Sequence, residues 1–310
     1  MGPVGSVVRA TVVAGLSTVA LISALTALRV RSATQPPRRP APGVDFAALG
    51  LPVRDVAFPA ADGIELAGWT LPGGPGASAI VLCHDWGAAR ESLLPLAIQL
   101  HERGFAVLLF DFRGHGSSGG KGSTLGLEEA RDVAGAVLET GRIAGANGQR
   151  VGVYGAGMGA HAAVLAARER PEIVALVLDG LYPSAVFALR ERFYGPWGGR
   201  LPRPEFLPAA MFSLMTGVRP GRERAEAVLP GLLGREVLLL APVGDTALTA
   251  EIERMYAGIP DQDDVDGNLA AVPASGGGGL YGAERARHHR GIEEFFTTRL
   301  RRRPDGPPEP

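Results

Sequence analysis

Residues 150–168, RVGVYGAGMGAHAAVLAAR, contain a short apolar run, a turn with three glycines and a second run free of helix breakers after the turn. The β-branched and aromatic residues of Arg150–Tyr154 favour a strand, and Met158–Arg168 favours a helix. A strand that leads through a tight turn into a helix is the unit from which parallel sheets are built. The segment Gly155-Ala156-Gly157-Met158-Gly159 is therefore predicted to be a sharp strand-to-helix turn.

The same rhythm of apolar runs and amphipathic stretches continues on both sides of this turn. It predicts an α/β fold with a doubly wound, mostly parallel sheet that is covered by helices on both faces. Val53 to Leu71 alternates and contains the turn Asp62-Gly63, which predicts antiparallel strands at the sheet edge. The predicted strands are Ala79–Cys83, Ala106–Phe110, Arg150–Tyr154, Ile173–Leu178 and Val237–Leu240, and the predicted helices are Ser92–Arg103, Leu125–Thr140, Met158–Arg168, Ala250–Ala257 and Glu284–Leu300.

The N-terminal segment predicts a single membrane-spanning helix. The run Ala10 to Leu28 carries no charge and has the length that a bilayer-spanning helix needs. A cleaved signal peptide is the competing interpretation, but its apolar region is usually only about 7–15 residues long. We expect an anchor over residues 1–31, a Pro-rich linker over 32–43, a folded domain over 44–303 and a disordered tail over 304–310. The flanking arginines leave the side of the membrane open.

Composition limits the partners that the chain can have. With 310 residues, 31 basic and 32 acidic, the formal net charge is −1, which gives no field that favours nucleic acid. The single cysteine, Cys83, excludes an intrachain disulfide and a metal site built from several cysteines. We expect no cofactor and no metal, and the sequence does not identify a protein partner.

Residues 181–234 break the rhythm with scattered prolines and glycines and an apolar stretch at Phe206–Val218. An insertion after the strand Ile173–Leu178 would lie over the carboxyl edge of the sheet as a small cap. Its apolar side chains could line a cleft for a small apolar or acyl ligand, or they could only pack on the domain beneath. Both interpretations stay open at the level of sequence.

Four segments, in the same order along the chain, carry a resemblance to a known family. They are Asp62–Trp69, His84-Asp85-Trp86-Gly87, Asp111-Phe112-Arg113-Gly114-His115-Gly116-Ser117-Ser118 and the turn Gly155–Gly159. In these segments the chain resembles the α/β-hydrolase superfamily, in the branch of bacterial esterases and serine peptidases, from about Val53 to Leu300. The resemblance implies an eight-stranded-type sheet and a nucleophile elbow at Gly155–Gly159.

The resemblance also implies a catalytic triad, and two of its positions lack the required side chain. Gly157 stands where the family carries its nucleophilic serine, and Gly277 stands where it carries the general base histidine. Asp245 stands at the position of the acid, although the family's preceding His-Gly pair is Ala241-Pro242 here. Without hydroxyl and imidazole, acyl transfer by the family's mechanism is not expected.

The oxyanion hole of such a site is built from backbone N–H groups, which the resemblance assigns to Trp86 and Met158. Asp85 replaces the family's usual glycine beside this hole, and its carboxylate would oppose a developing anion. The leading hypothesis is therefore a membrane-anchored, non-catalytic protein of hydrolase fold that acts by binding or regulation.

Two alternatives remain at the level of sequence. An enzyme with rearranged residues could use Asp245 or Asp85 through a water molecule together with His84 or His115. The turn from Gly155 to Ala160, with Asp179 after the next strand, also fits a dinucleotide fingerprint, although such a turn normally opens its domain. His288 and His289 fall in the predicted last helix, where a core or surface role is expected.

Overall fold

The computed structural model of the protein describes residues 3–38, 45–48, 50–195, 205–232, 234–243, 245–258, 269–273 and 282–301. A long helix, α1 (Pro3–Thr34), comes first. The strands are β1 (Arg54–Pro59), β2 (Glu65–Leu71), β3 (Ala77–Cys83), β4 (Ala106–Phe110), β5 (Ala146–Ala156), β6 (Ile173–Asp179), β7 (Glu236–Val243) and β8 (Leu269–Pro273). The later helices are α2 (Leu94–Glu102), α3 (Glu129–Glu139), α4 (Met158–Ala167), α5 (Ala185–Tyr194), α6 (Phe206–Thr216), α7 (Ala225–Val228), α8 (Thr246–Ala257) and α9 (Gly282–Arg301).

All the described strands join one eight-stranded sheet in the order β1-β2-β4-β3-β5-β6-β7-β8. Strand β2 runs antiparallel to β1 and β4, and every other neighbouring pair is parallel. The predicted α/β class, the mostly parallel sheet and the antiparallel edge hairpin are confirmed. Helices α3, α4 and α8 cover one face of the sheet, and α2 and α9 cover the other.

Four predicted helix starts differ from the structure, and three of them have a local reason; the fourth, α9, starts at Gly282, two residues before the predicted Glu284. Helix α3 starts at Glu129 rather than Leu125, because Leu125 and Gly126 have positive φ angles of 58° and 94°. The buried carboxylate of Glu129 accepts backbone N–H groups of this preceding turn. Helix α8 starts earlier than expected because Asp245 caps its first turn, and α2 starts later, at Leu94, after a 3₁₀ turn.

The segment after β6 forms a cap of α5, α6 and α7 at the carboxyl edge of the sheet. Ser184 caps α5 by accepting the N–H of Phe187, and Gly217 ends α6 in the left-handed conformation with φ 75°. Phe212 of α6 is fully buried, whereas Phe206 and Leu214 are exposed. The apolar stretch of the cap therefore serves packing on one side and leaves large side chains uncovered on the other.

Helix α1 combines an exposed apolar part with a docked end. Within Val7–Thr34 the most apolar 18-residue stretch has a mean hydropathy of 2.0, so the helix is long and apolar enough to cross a membrane, a property that signal sequences share. Its last turns pack on α5 and α6, where Val30 and Ala33 are buried. The helix runs on to Thr34, into the segment predicted as linker, and Thr34 O accepts the N–H of Ser123 at 2.7 Å.

Candidate active site

The turn between β5 and α4 has the geometry of a strained strand-to-helix crossing. Gly157 adopts φ 50° and ψ −106°, a conformation that glycine tolerates far better than other residues. A Cβ at Gly155 would lie 2.5 Å from the carbonyl carbon of Gly159, so the chains cross too closely for a side chain there. The N–H of Gly157 donates to the carbonyl of Asp179 at 2.8 Å, which ties the turn to the end of β6.

The carboxylate of Asp85 sits directly on this turn. Its Oδ1 accepts the backbone N–H of Trp86 at 2.7 Å and that of Met158 at 2.8 Å. A Cβ built on Gly157 would overlap the same carboxylate. Asp85 therefore fills both the space of a side chain at position 157 and the position between the two N–H groups where an anion would bind.

This arrangement is electrostatically favourable for Asp85. Met158 is the first residue of α4, so its N–H is one of the unpaired donors at the positive end of the helix. Hydrogen bonds from backbone N–H groups to a carboxylate are stronger than those to a neutral acceptor. Asp85, which sequence analysis placed beside the predicted oxyanion hole, thus lies between the two N–H groups that the resemblance assigned to it.

The two histidines near the site are both engaged by the backbone. His84 bonds through Nδ1 to Asp85 O at 2.7 Å and accepts the N–H of Phe112 at Nε2, at 3.1 Å. His115 bonds through Nδ1 to Arg113 O at 3.0 Å and accepts the N–H of Gly87 at Nε2, at 3.2 Å. Burial lowers the pKa of His84 to about 3, with His115 acting in the same direction, and burial also lowers the pKa of His115.

The loop after β4 is held by buried charges. Arg113 donates from Nη2 and Nε to Asp132 at 2.6 and 2.9 Å, and from Nη1 to Asp62 at 2.9 Å.

Asp111 holds the same loop through its carboxylate, which accepts the backbone N–H groups of Arg90 and Ser117. The hydroxyl of Ser118 donates to Asp111 O. These residues fix the loop that carries His115 and present no reactive group of their own.

Comparison with known proteins agrees with this geometry. A model of the family described as "Serine aminopeptidase, S33" matches residues 75–197, which include the His84–Gly87 loop, the Asp111–Ser118 loop and the turn at Gly157. A solved esterase of Pyrococcus furiosus superposes with a TM-score of 0.64 at 22% identity, covering 86% of this chain and 99% of that chain. The chain therefore has the α/β-hydrolase fold, and the family model matches its residues 75–197.

The matches to curated relatives cover only part of the chain. An uncharacterized protein of Mycobacterium tuberculosis is 36% identical over 133 residues, 42% of this chain and 46% of the relative. The uncharacterized protein YfhR of Escherichia coli is 35% identical over 136 residues, 42% of this chain and 47% of the relative. The matched part thus spans about half the length of each of these curated relatives, so the activity of the whole protein is a matter for proposal.

The other two positions that the resemblance assigns to a triad have separate surroundings. Asp245 is exposed, and its Oδ1 accepts the N–H of Leu248 at 3.0 Å as the cap of α8. Gly277, predicted at the position of the base, lies outside the described residues, as does the disordered tail predicted after residue 303. The structure brings Asp85, Trp86, Gly157 and Met158 together, and it shows Asp245 in contact with its own helix.

Sequence reasoning missed a buried polar cluster at the end of β6. Asp179 Oδ2 lies 3.0 Å from His288 Nε2 and accepts the hydroxyl of Tyr154 at 2.9 Å. Asp179 and His288 are nearly inaccessible to solvent, and burial raises the pKa of the Tyr154 hydroxyl well above its usual value. A polar residue directly after a buried strand was the available signal, but its partner lies far along the chain in α9.

Another buried histidine lies one turn into α4. His161 is fully buried, stacks on Tyr182 with ring centroids 4.9 Å apart, and has no hydrogen-bond partner for either ring nitrogen among the described residues. Burial lowers the pKa of His161 to about 3. It acts as a packed, neutral ring beneath the turn, in agreement with its helical position.

The described residues contain no group of three His, Cys, Asp or Glu side chains placed to hold a metal ion.

Proposed function

We propose that this protein is a membrane-anchored member of the α/β-hydrolase superfamily that does not catalyse acyl transfer and acts by binding a ligand or regulating a partner. The observation that carries the proposal is the carboxylate of Asp85, which accepts the N–H groups of Trp86 and Met158 and fills the space beside Gly157. The side chain of Asp85 therefore occupies the position that would have to be open for hydrolysis.

The chemistry of acyl transfer is disfavoured at each step. Gly157 offers no nucleophile, and a negative charge held at Asp85 repels a developing oxyanion. His84 and His115 use both ring nitrogens for backbone hydrogen bonds, so neither has a nitrogen free to accept a proton from water. This argues against the rearranged enzyme that the sequence left open.

The contacts of the same turn also argue against the dinucleotide-binding alternative. A pyrophosphate binds to free N–H groups at the start of a helix. Here the N–H of Gly157 donates to Asp179 O and that of Met158 donates to Asp85. The carboxylate of Asp179, which would have to reach a ribose, is bound by Tyr154 and lies against His288.

The anchor and the cap indicate where the function takes place and the kind of ligand. Helix α1 has the length and hydropathy of a bilayer-spanning segment. The cap carries exposed apolar side chains near the docked end of that helix. A small apolar or acyl ligand, presented at a membrane surface, is the class that fits these features.

Restoration of the missing groups tests the proposal. Wild-type protein in detergent is expected to hydrolyse aryl esters and aminoacyl anilides no faster than heat-inactivated protein. The variant Gly157→Ser with Gly277→His is expected to stay inactive, because Asp85 still fills the site. Adding Asp85→Gly should give measurable ester hydrolysis.

Wild-type hydrolysis that is abolished by Asp85→Asn would overturn the proposal and identify Asp85 as a participant. Hydrolysis abolished by His288→Gln instead would show that the Asp179 and His288 pair supplies the base. A matched control is Asp245→Asn, which removes the acid position without touching the contacts of Asp85.

A further inference from the structure

The end of α1 is docked on the cap before its charge-free run is over. Thr26, Val30 and Ala33 of α1 are buried, and Ser23 and Ala27 are half-buried on the same side of the helix. The elements that α1 packs against are α5 and α6 of the cap. The uncharged run extends to Leu28, so about its last two turns already lie against the domain.

The thickness of a bilayer then sets the depth of the cap. A hydrocarbon core of about 30 Å needs about 20 helical residues at about 1.5 Å each. The run from Ala10 to Leu28 is barely long enough to cross this hydrocarbon core. The turns at its end that dock on the cap must therefore lie within the hydrocarbon core as well. The cap elements beside those turns must lie at the boundary of the same layer.

Helix α6 has the surface that such a position requires. Its sequence, FLPAAMFSLMT from Phe206 to Thr216, contains no charged residue. Phe206, Leu214 and Met215 are 74%, 81% and 40% exposed. Apart from α1, the exposed large apolar side chains of the described residues are these three and Leu138, so exposure of this kind is concentrated on α6.

We infer that α6 lies in the membrane interface beside α1, with Phe206, Leu214 and Met215 in contact with the acyl chains of the bilayer. The inference rests on the anchoring of α1 that belongs to the proposed function. Arg29 and Arg31 follow the apolar run and would meet the headgroups, as interfacial arginines do. The cap is then a second, monotopic contact with lipid, which holds the domain against the membrane.

Site-directed fluorescence on the full chain tests this position. The variants Leu214→Cys, Leu138→Cys and Leu21→Cys are each labelled with an environment-sensitive dye and reconstituted into phosphatidylcholine nanodiscs. Native Cys83 is fully buried, so the chain without an added cysteine gives the labelling background. Quenching is measured with phosphatidylcholine that carries a nitroxide near the top of its acyl chain, and with aqueous iodide.

The label at position 214 is expected to be quenched by the nitroxide lipid and protected from iodide, and the label at 138 is expected to show the reverse. If 21 is quenched by lipid while 214 behaves like 138, the inference about α6 is overturned and the anchor stands. If 21 also behaves like 138, the anchoring in the proposed function fails. Protection of 214 from both quenchers overturns the lipid contact and shows that protein covers α6.

Discussion

At the scale of single residues, the candidate site depends on two positions that share one space. Gly157 has no side chain, and the carboxylate of Asp85 occupies the space that a side chain there would need. The two positions fit each other, because the N–H groups of Trp86 and Met158 donate to that carboxylate. An arrangement of this kind makes the effects of substitutions at the two positions interdependent.

We predict that Gly157→Ser alone lowers the free energy of unfolding by about 1–3 kcal/mol, because its side chain overlaps Asp85 and is strained at positive φ. Combined with Asp85→Gly, the serine should cost less, with a coupling of about 0.5–3 kcal/mol between the two positions. Denaturant unfolding of both single variants and the double variant in one detergent measures this. Simple additivity of the two effects would contradict the overlap.

We also predict a loss of stability in acid that His161 helps to cause. Its folded pKa of about 3 lies below the ordinary value of 6.5, so between these values the unfolded chain binds a proton that the folded chain refuses. Stability therefore falls as pH drops below 6.5, by up to about 1.4 kcal/mol for each pH unit.

The variant His161→Gln should show a shallower decline of unfolding free energy between pH of about 6.5 and 4.5. Above that range both states are neutral at this position, so wild type and variant should have parallel curves there. An unchanged acid slope in the variant would show that His161 titrates normally in the fold.

At the scale of elements, the loop after β4 is positioned by one buried cation. The side chain of Arg113 is 7% exposed and joins Asp132 at the start of α3 to Asp62 in the β1–β2 turn. A buried charge left without its partner is costly, so the ion pairs matter as a group. They connect the edge hairpin, the loop and a helix that come from separate parts of the chain.

We predict that Arg113→Met lowers the free energy of unfolding by about 3–5 kcal/mol, because it leaves Asp132 buried without its partner. Arg131 contacts the same Asp62 but is 51% exposed, so Arg131→Met should change stability by only about 0–1 kcal/mol. Thermal and denaturant unfolding of the two variants provide the comparison. Equal effects of the two substitutions on the free energy of unfolding would mean that burial of Arg113 does not make its ion pairs more important for stability.

At the scale of the whole molecule, the N-terminal helix is part of the folded domain as well as a candidate anchor. Its last turns bury Val30 and Ala33 against the cap, and Thr34 O accepts the N–H of Ser123. Pro37 comes close to Gly87, so the chain after α1 passes beside the loop that carries Asp85. A helix docked in this way fixes the orientation of the cap relative to α1.

We predict that Ala33→Asp lowers the free energy of unfolding by about 2–5 kcal/mol, because it buries an unpaired charge between α1 and the cap. Ser32→Asp, next to it on the exposed side of α1, should change stability by no more than about 0.5 kcal/mol. The free energies of unfolding of both variants, measured in the same detergent, test this difference. If the two substitutions have equal effects, α1 is not docked in solution.

The sequence by itself determined the alternation of strands and helices, the edge hairpin at Asp62-Gly63, the fold class and the absence of a side chain at Gly157. These features follow from local periodicity, turn chemistry and motif spacing, each of which depends on a few neighbouring residues. Even at this level four helix starts were misjudged. For α3 the reason is that the positive φ angles at Leu125 and Gly126 depend on the buried Glu129.

Only the tertiary structure decided where the carboxylates lie. Asp85 enters the space beside Gly157 because β3 and β5 are neighbours in the sheet, and Asp179 meets His288 because α9 packs over β6. Neither contact can be predicted from the local sequence pattern, because the residues involved are far apart in sequence and meet only through the pairing order of the strands. For that physical reason the glycine at position 157 can be read from the sequence, whereas the carboxylate that fills the space beside it can be seen only in the fold.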